Sequence, residues 1–309
     1  MTTVIFVHGI SNMPEKDVLI HHWYSALATD YAGNEGVDLK TRAYVKSVHW
    51  ADIMYATPLG WASIAESSEL SLESTGALSS GGPDLGEVDD AFLRTFAEDM
   101  NVDPEALLDS ERVPLPSDLS GIEAEAIPLP WFLKKPLMRA AVRDTHHYLY
   151  NVAHSPRPGE TYKVRDVIRG RFVDELKAAE TRGPIILITH SMGTVIAYDC
   201  LKNVPDCPQI KHLMTVGSPL GLSEVQTHLK PGYTRHDGYA YEKIGLRWVN
   251  IFDPVDIVAR ADPKLRNDYL KSGGEVIEDI RQNNGGLWTH SFTKYAPKKT
   301  MRDVLRELL

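Results

Sequence analysis

Ile185-Ile186-Leu187-Ile188-Thr189-His190-Ser191-Met192-Gly193-Thr194-Val195-Ile196-Ala197-Tyr198-Asp199 is the stretch of this chain that decides its fold. A short, β-branched apolar run ends in a serine held between small or polar neighbours, and an amphipathic helical pattern follows at once. That is the layout of a nucleophile elbow, a sharp turn from strand to helix that lifts one hydroxyl clear of the sheet edge. The helix that follows aims its first N–H groups, that of Met192 among them, at the place where an oxyanion would form. Gly193 suits such a turn, because a side chain there would collide with the strand across it. Thr189 stands where the pattern usually has its first glycine, at a position that needs a small residue more than a positive φ. The plainer alternative is a buried strand followed by a helix that Ser191 merely caps, serine being a favoured N-cap.

The order of the downstream partners decides between the two. An elbow serine is followed in the chain by an acid and then by a histidine. Trp248–Phe252 has the pattern of a buried strand, and Asp253-Pro254-Val255-Asp256-Ile257-Val258 leaves its end. Further on, Asn283-Asn284-Gly285-Gly286-Leu287-Trp288-Thr289-His290 sets a histidine just after a glycine-rich loop. At the other end of the chain, Val4-Ile5-Phe6-Val7 is a strand that runs into His8-Gly9-Ile10. The loop after it can supply a second oxyanion N–H, from Ile10. A parallel sheet would gather all four pieces at one edge.

With these parts the chain resembles a serine hydrolase of the α/β-hydrolase superfamily, lipase- or esterase-like. The Phe6-Val7-His8-Gly9 opening, the Thr189–Gly193 elbow, the Gly217-Ser218-Pro219 turn, the Asp256-Ile257-Val258 step and the late His290-Ser291 all have counterparts there. The match covers roughly half of the chain, and it needs its structural context to confirm it. Carried over, the resemblance implies that Ser191 is the nucleophile and His290 the general base that takes its proton. It implies backbone N–H groups of Ile10 and Met192 as the oxyanion hole, and no metal or organic cofactor. For the carboxylate behind the histidine two aspartates compete. Asp256 is preferred, being followed by Ile-Val as the acid commonly is in lipases. Asp253 lies at the strand end before a proline, where turn chemistry alone accounts for an aspartate. The implied substrate is a small-molecule carboxylic ester with an apolar acyl group. Thioesterase or acyltransferase activity with the same triad is the near alternative. A hydrolase-like module that only binds a partner is the distant one, and it has no need of Ser191, Asp256 and His290 together.

The remaining histidines have structural explanations. His8 is expected to hold the oxyanion loop, and His190 to point away from the pocket and satisfy buried polar groups. His146, His147 and His154 lack the i, i+4 spacing of a helical metal pair, and no cysteine-histidine cluster has zinc spacing. The formal charge of −9 over 309 residues argues against nucleic acid, which demands a basic footprint. Two cysteines, Cys200 and Cys207, give no disulfide framework, and no apolar run reaches membrane-spanning length. The first strand begins so early that no signal peptide fits before it, so a cytoplasmic enzyme is expected.

The periodicity predicts an α/β-hydrolase core, residues 1–50 and 161–309, split by an insertion over 51–160. In the core, Asp17–Tyr31 and Lys163–Thr181 have helical spacing, while Thr41–Trp50, Leu213–Gly217 and Glu275–Ile280 join the strands already named. The insertion is too long for a strand connection. Its Glu66–Glu87 stretch, rich in Ser, Gly and Glu, has the composition of a mobile loop. The apolar stretches around it, Met54–Ile64, Phe92–Met100 and Pro128–Tyr150, are expected either to pack on the sheet or to form a cap or lid over Ser191. In the second case Trp131 and Phe132 would line an acyl pocket.

Overall fold

The computed structural model describes residues 1–59, 84–108, 131–285 and 289–309. Most of the Glu66–Glu87 stretch, and the side chains of Trp131 and Phe132, lie outside the described residues, and with them the mobile-loop and pocket-lining expectations.

Eight strands are present among the described residues: β1 (Thr2–Val7), β2 (Ala43–Val48), β3 (Ala153–His154), β4 (Tyr162–Lys163), β5 (Ile185–His190), β6 (Ile210–Val216), β7 (Ile244–Phe252) and β8 (Glu278–Arg281). Six of them form one sheet in the order β2-β1-β5-β6-β7-β8, parallel at every pairing. β3 and β4 make a separate two-residue antiparallel ladder. A parallel sheet with both faces covered needs strands that are apolar on both sides. β5 meets this demand, with all six residues buried. Alternate residues supply the two faces: Ile5, Val7, Leu187, Leu213 and Trp248 belong to one buried cluster. Val4, Phe6, Ile186, Ile188, Met214 and Val249 belong to the other.

The helices Lys16–Ala28 and Lys299–Leu308 cover the second face, through Leu19, Trp23, Leu27, Met301 and Leu305. The helices Val164–Glu180 and Met192–Asn203 cover the first. The described part of the insertion joins that same cluster. Helix Asp90–Asp99, whose first turn is capped by Asp89 accepting from the Phe92 amide, contributes Phe92, Leu93 and Phe96. Helix Trp131–Leu149 contributes Met138, Ala141, Val142 and Tyr148. The described parts of these stretches thus belong to the buried cluster on that side of the sheet, which leaves a cap or lid role open. A hydrogen-bonded ion pair joins the helices Val164–Glu180 and Met192–Asn203, and Tyr148 of helix Trp131–Leu149 ties into it. Asp199 accepts two 2.7 Å bonds from Arg169 and a 2.6 Å bond from the Tyr148 hydroxyl.

The predicted elements occur with shifted ends. The first helix stops at Ala28 because Thr29 is already extended. The second strand begins at Ala43, since Leu39–Arg42 is a helical turn capped by the Asp38 side chain. The last strand lies at Glu278–Arg281, in parallel register with Val249–Phe252. Chain order reverses between β1 and β5, and the carboxyl ends of the strands at such a reversal are the usual ligand position in an open parallel sheet. The loops leaving these two strands carry His8-Gly9-Ile10 and Ser191. No described helix is long and apolar enough to cross a membrane.

Candidate active site

Ser191 sits between β5 and the helix Met192–Asn203 with φ 52° and ψ −129°, a conformation that costs a non-glycine residue of order 1–3 kcal/mol. The turn is held from three sides. The Ser191 amide donates to the Val216 carbonyl at 3.0 Å. Its carbonyl accepts from the Thr194 amide at 2.9 Å and the Thr194 hydroxyl at 2.7 Å. A Cβ at Gly193 would lie 2.5 Å from the Val7 carbonyl oxygen and 2.6 Å from that of His8, so only glycine lets the helix pass this close to β1. Thr189 is fully buried, and its hydroxyl donates to the Met214 carbonyl at 3.1 Å. The capping explanation of Ser191 fails, because its side chain makes no cap bond to the helix.

The hydroxyl instead meets His290 Nε2 at 2.8 Å. His290 Nδ1 lies 2.8 and 2.9 Å from the two carboxylate oxygens of Asp256. An ionised carboxylate accepts only, so Nδ1 carries the proton and Nε2 presents its lone pair to the serine. Asp256 is fully buried and also accepts from the Tyr295 hydroxyl at 2.7 Å and the Val258 amide at 2.9 Å. Burial alone would raise the Asp256 carboxyl. The neighbouring His290 and the bonds from His290, Tyr295 and Val258 outweigh it, and its pKa lies below the ordinary value. The Tyr295 hydroxyl is pushed far above its usual value by burial and by the Asp256 charge, so it stays a donor. Gly217, at φ 55°, leaves room here, since a Cβ on it would fall 2.9 Å from Asp256 Oδ2.

Asp253 does something else. Its oxygens accept from the amides of Val255 at 3.0 Å and Asn284 at 2.7 Å, which ties the end of β7 to the loop that leads to His290. Its own amide donates to the Tyr295 hydroxyl at 3.0 Å. Of the two aspartates, Asp256 faces the histidine and Asp253 builds the turn.

Of the two residues expected to offer oxyanion amides, Met192 directly follows Ser191 and Ile10 follows Gly9, which packs on the serine. Met192 opens its helix, where the first amides have no carbonyl four residues back. The loop before Ile10 lies against the serine: a Cβ on Gly9 would sit 2.6 Å from Ser191 Cβ. His8 anchors that loop. Its Nδ1–H donates to the Gly9 carbonyl at 2.9 Å, and Nε2 accepts from the Trp50 amide at 2.9 Å. The ring stacks on Trp50 at 4.8 Å, and burial, with His49 nearby, drives its pKa well down. His190 donates from Nε2 to the His290 carbonyl at 2.6 Å, and burial, reinforced by His290, pushes its pKa down to about 3. Both imidazoles are therefore neutral struts.

Three features were not foreseen from the residues. Tyr295 stands behind Asp256, and no motif marks it. Asp144, from the insertion, accepts from the Ser11 amide next to Ile10 at 2.9 Å. Finally, Glu87, His147 and His154 each bring one ligand atom within 4.8 Å of the others, the make-up of a site that could hold a divalent cation. His147 Nε2 and Glu87 Oε2 are 3.5 Å apart, and burial pushes the His147 imidazole down to about 3. The three come from separate segments, so spacing along one helix cannot reveal them.

Comparison of the chain with protein-family models and with curated proteins returns no match.

Proposed function

We propose that this protein is a serine hydrolase of the α/β-hydrolase fold that cleaves a carboxylic ester through an acyl-enzyme. The observation that carries the proposal is the unbroken chain Ser191 Oγ, His290 Nε2, His290 Nδ1, Asp256 carboxylate, with every link between 2.8 and 2.9 Å. An unaided serine hydroxyl is a weak nucleophile at neutral pH, and an imidazole in the right tautomer makes it a useful one. The strand order, with the serine loop at the reversal between β1 and β5, fits that fold.

In the proposed reaction Ser191 Oγ bonds to the ester carbonyl carbon while its proton passes to His290 Nε2. The carbonyl oxygen gains the charge and is met by the amides of Met192 and Ile10. When the tetrahedral centre collapses, the ester C–O bond breaks and the leaving alkoxide takes the proton from His290. A water then attacks the acyl-enzyme, giving a proton to His290, which returns it to Ser191 as the acid departs. Asp256 holds the tautomer and offsets the imidazolium charge throughout. A cytoplasmic setting belongs to the same proposal, and the two buried, unpaired cysteines suit it.

Intact-mass analysis after fluorophosphonate treatment, on wild type beside Ser191→Ala, tests this without a guess at the substrate. One adduct on wild type and none on the variant is expected, and matched oxygen and sulfur esters then fix the preferred bond. A folded wild type that takes up no adduct overturns the proposal and favours a partner-binding module.

A further inference from the structure

We infer that Asp144, brought in by the insertion, is a positioning residue for the oxyanion site; this rests on the hydrolase proposal above. Helix Trp131–Leu149 touches both sides of that site with consecutive residues. Asp144 Oδ2 accepts from the Ser11 amide at 2.9 Å, across 133 positions of sequence. The Thr145 hydroxyl lies 3.6 Å from the Met192 sulfur. Ser11 and Met192 thus hang from one helix, and the candidate donor amides are those of Ile10, one residue before Ser11, and of Met192 itself.

Ser11 has φ 78°, a left-handed backbone that a serine keeps only where its surroundings hold it. Asp144 is the holder. The direction of the Ser11 N–H fixes the plane of the Ile10–Ser11 peptide, which sets the backbone turn at Ile10 and so the aim of the Ile10 N–H. The carboxylate is itself rigid. Its side chain is fully buried, and a buried charge must be paired. Arg143 donates to Oδ1 from Nη2 at 2.9 Å and from Nε at 3.2 Å. The Tyr55 hydroxyl donates to both oxygens at 3.0–3.1 Å, while the Arg143 guanidinium lies 4.6 Å over the Tyr55 ring. Burial and the Asp144 charge raise the Tyr55 hydroxyl far above its usual pKa, so it remains a donor.

Every one of these partners is a donor. Asn in place of Asp144 keeps the shape but offers one acceptor oxygen, and its NH2 must then face either Arg143 or the Ser11 amide. The insertion is in this account a buttress for the oxyanion loop, whatever else it covers.

The test is steady-state kinetics of Asp144→Asn on a chromogenic ester, together with inhibition by a phenylboronic acid. The tetrahedral boronate on Ser191 places an oxygen where the oxyanion forms, so its affinity reports how well the site holds a tetrahedral adduct, independent of leaving-group departure. Loss of one oxyanion donor typically costs about 10²-fold or more, so kcat should fall by about 10- to 100-fold with KM changed less than about threefold. Boronate affinity should fall in step. Tyr55→Phe, which keeps the ion pair and the Ser11 bond but loosens the carboxylate, serves if Asp144→Asn does not fold; it should lower kcat and boronate affinity together by about threefold to tenfold. Wild-type turnover matched by Asp144→Asn, or a loss of kcat with boronate affinity intact, overturns this inference alone. A wild type with no turnover on any ester overturns the hydrolase proposal and this inference with it.

Discussion

Replacing Asp256 and Asp253 in turn by asparagine separates two carboxylates only three residues apart. At Asp256, Oδ1 accepts from Val258 and Oδ2 from Tyr295, while His290 Nδ1 lies 2.8 and 2.9 Å from the pair. An asparagine keeps its oxygen toward the Val258 amide, so its NH2 takes the Tyr295 side and faces His290. An NH2 beside Nδ1 favours the tautomer with the proton on Nε2, and the lone pair that Ser191 needs is gone. Loss of the correct tautomer costs about 10⁴ in kcat, equivalent to about 5.4 kcal/mol of barrier. At Asp253 no histidine is involved. Asparagine retains one of the two amide bonds, to Val255 or to Asn284, and gives up the other. That loss should cost about 1–2 kcal/mol of stability and leave kcat within about tenfold of wild type. The assay is kcat on a chromogenic ester at pH 8, each rate divided by the folded fraction from urea unfolding. If Asp253→Asn is the more damaging per folded molecule, the geometry has been assigned the wrong acid.

Three other perturbations have definite outcomes. Gly193→Ala drives a methyl to 2.5 Å from the Val7 carbonyl oxygen, and because both collision partners are backbone the fold should lose about 2–4 kcal/mol, read as a lower urea midpoint. Tyr295→Phe removes a charge-assisted donor from buried Asp256, which should cost about 1.5–3 kcal/mol in urea unfolding at pH 7 and raise the Asp256 pKa; unchanged stability would contradict the assigned bond. His190 has a folded pKa of about 3, below the unfolded value, so the unfolded chain binds the extra proton. Stability is then complete above the unfolded imidazole pKa and declines as pH falls toward the folded one, by about 2 kcal/mol between pH 7 and 5. His190→Gln should flatten that part of the slope, and an identical slope in the variant would show that His190 is not held neutral.

What was legible in the residues follows from how local each signal is. β5 and the elbow could be found because strand, turn and helix succeed one another within a single stretch, and Gly193 is explained by a contact that a tight turn dictates. The order serine, acid, histidine brought Ser191 and His290 to attention, and the choice of Asp256 over Asp253 turned on its Ile-Val neighbours. The physical difference is that Asp253, at the strand end, is used up by the amides of Val255 and Asn284, while Asp256 stands one turn further on and is free to face the loop of His290. Element ends were less visible, because capping by Asp38 and the extended Thr29 set them. Tyr295, Asp144 and the group of Glu87, His147 and His154 were invisible for a different reason. Each acts across a tertiary contact, and nothing in its own neighbourhood marks the partner.

Under the proposed mechanism the imidazoles crowded around the serine leave the proton one route. His8, His190 and His290 all lie near the elbow, and His190 is 4.8 Å from His290 between ring centres. Three equivalent bases there would share charge and lose direction. Each is differentiated by what its nitrogens meet. His8 gives Nδ1–H to a carbonyl and spends Nε2 on backbone amides, so it has no lone pair to offer. His190 gives Nε2–H to the His290 carbonyl, and its Nδ1 is buried with no hydrogen-bond partner among the described residues, which makes protonation costly. Only His290 has a carboxylate behind one nitrogen and a hydroxyl before the other. Asp256, itself held by the Tyr295 hydroxyl, lies against that ring alone of the three. Under the proposed mechanism burial thus selects the base: the same low-dielectric surroundings that keep His8 and His190 neutral would strengthen the attraction between Asp256 and a proton arriving on His290.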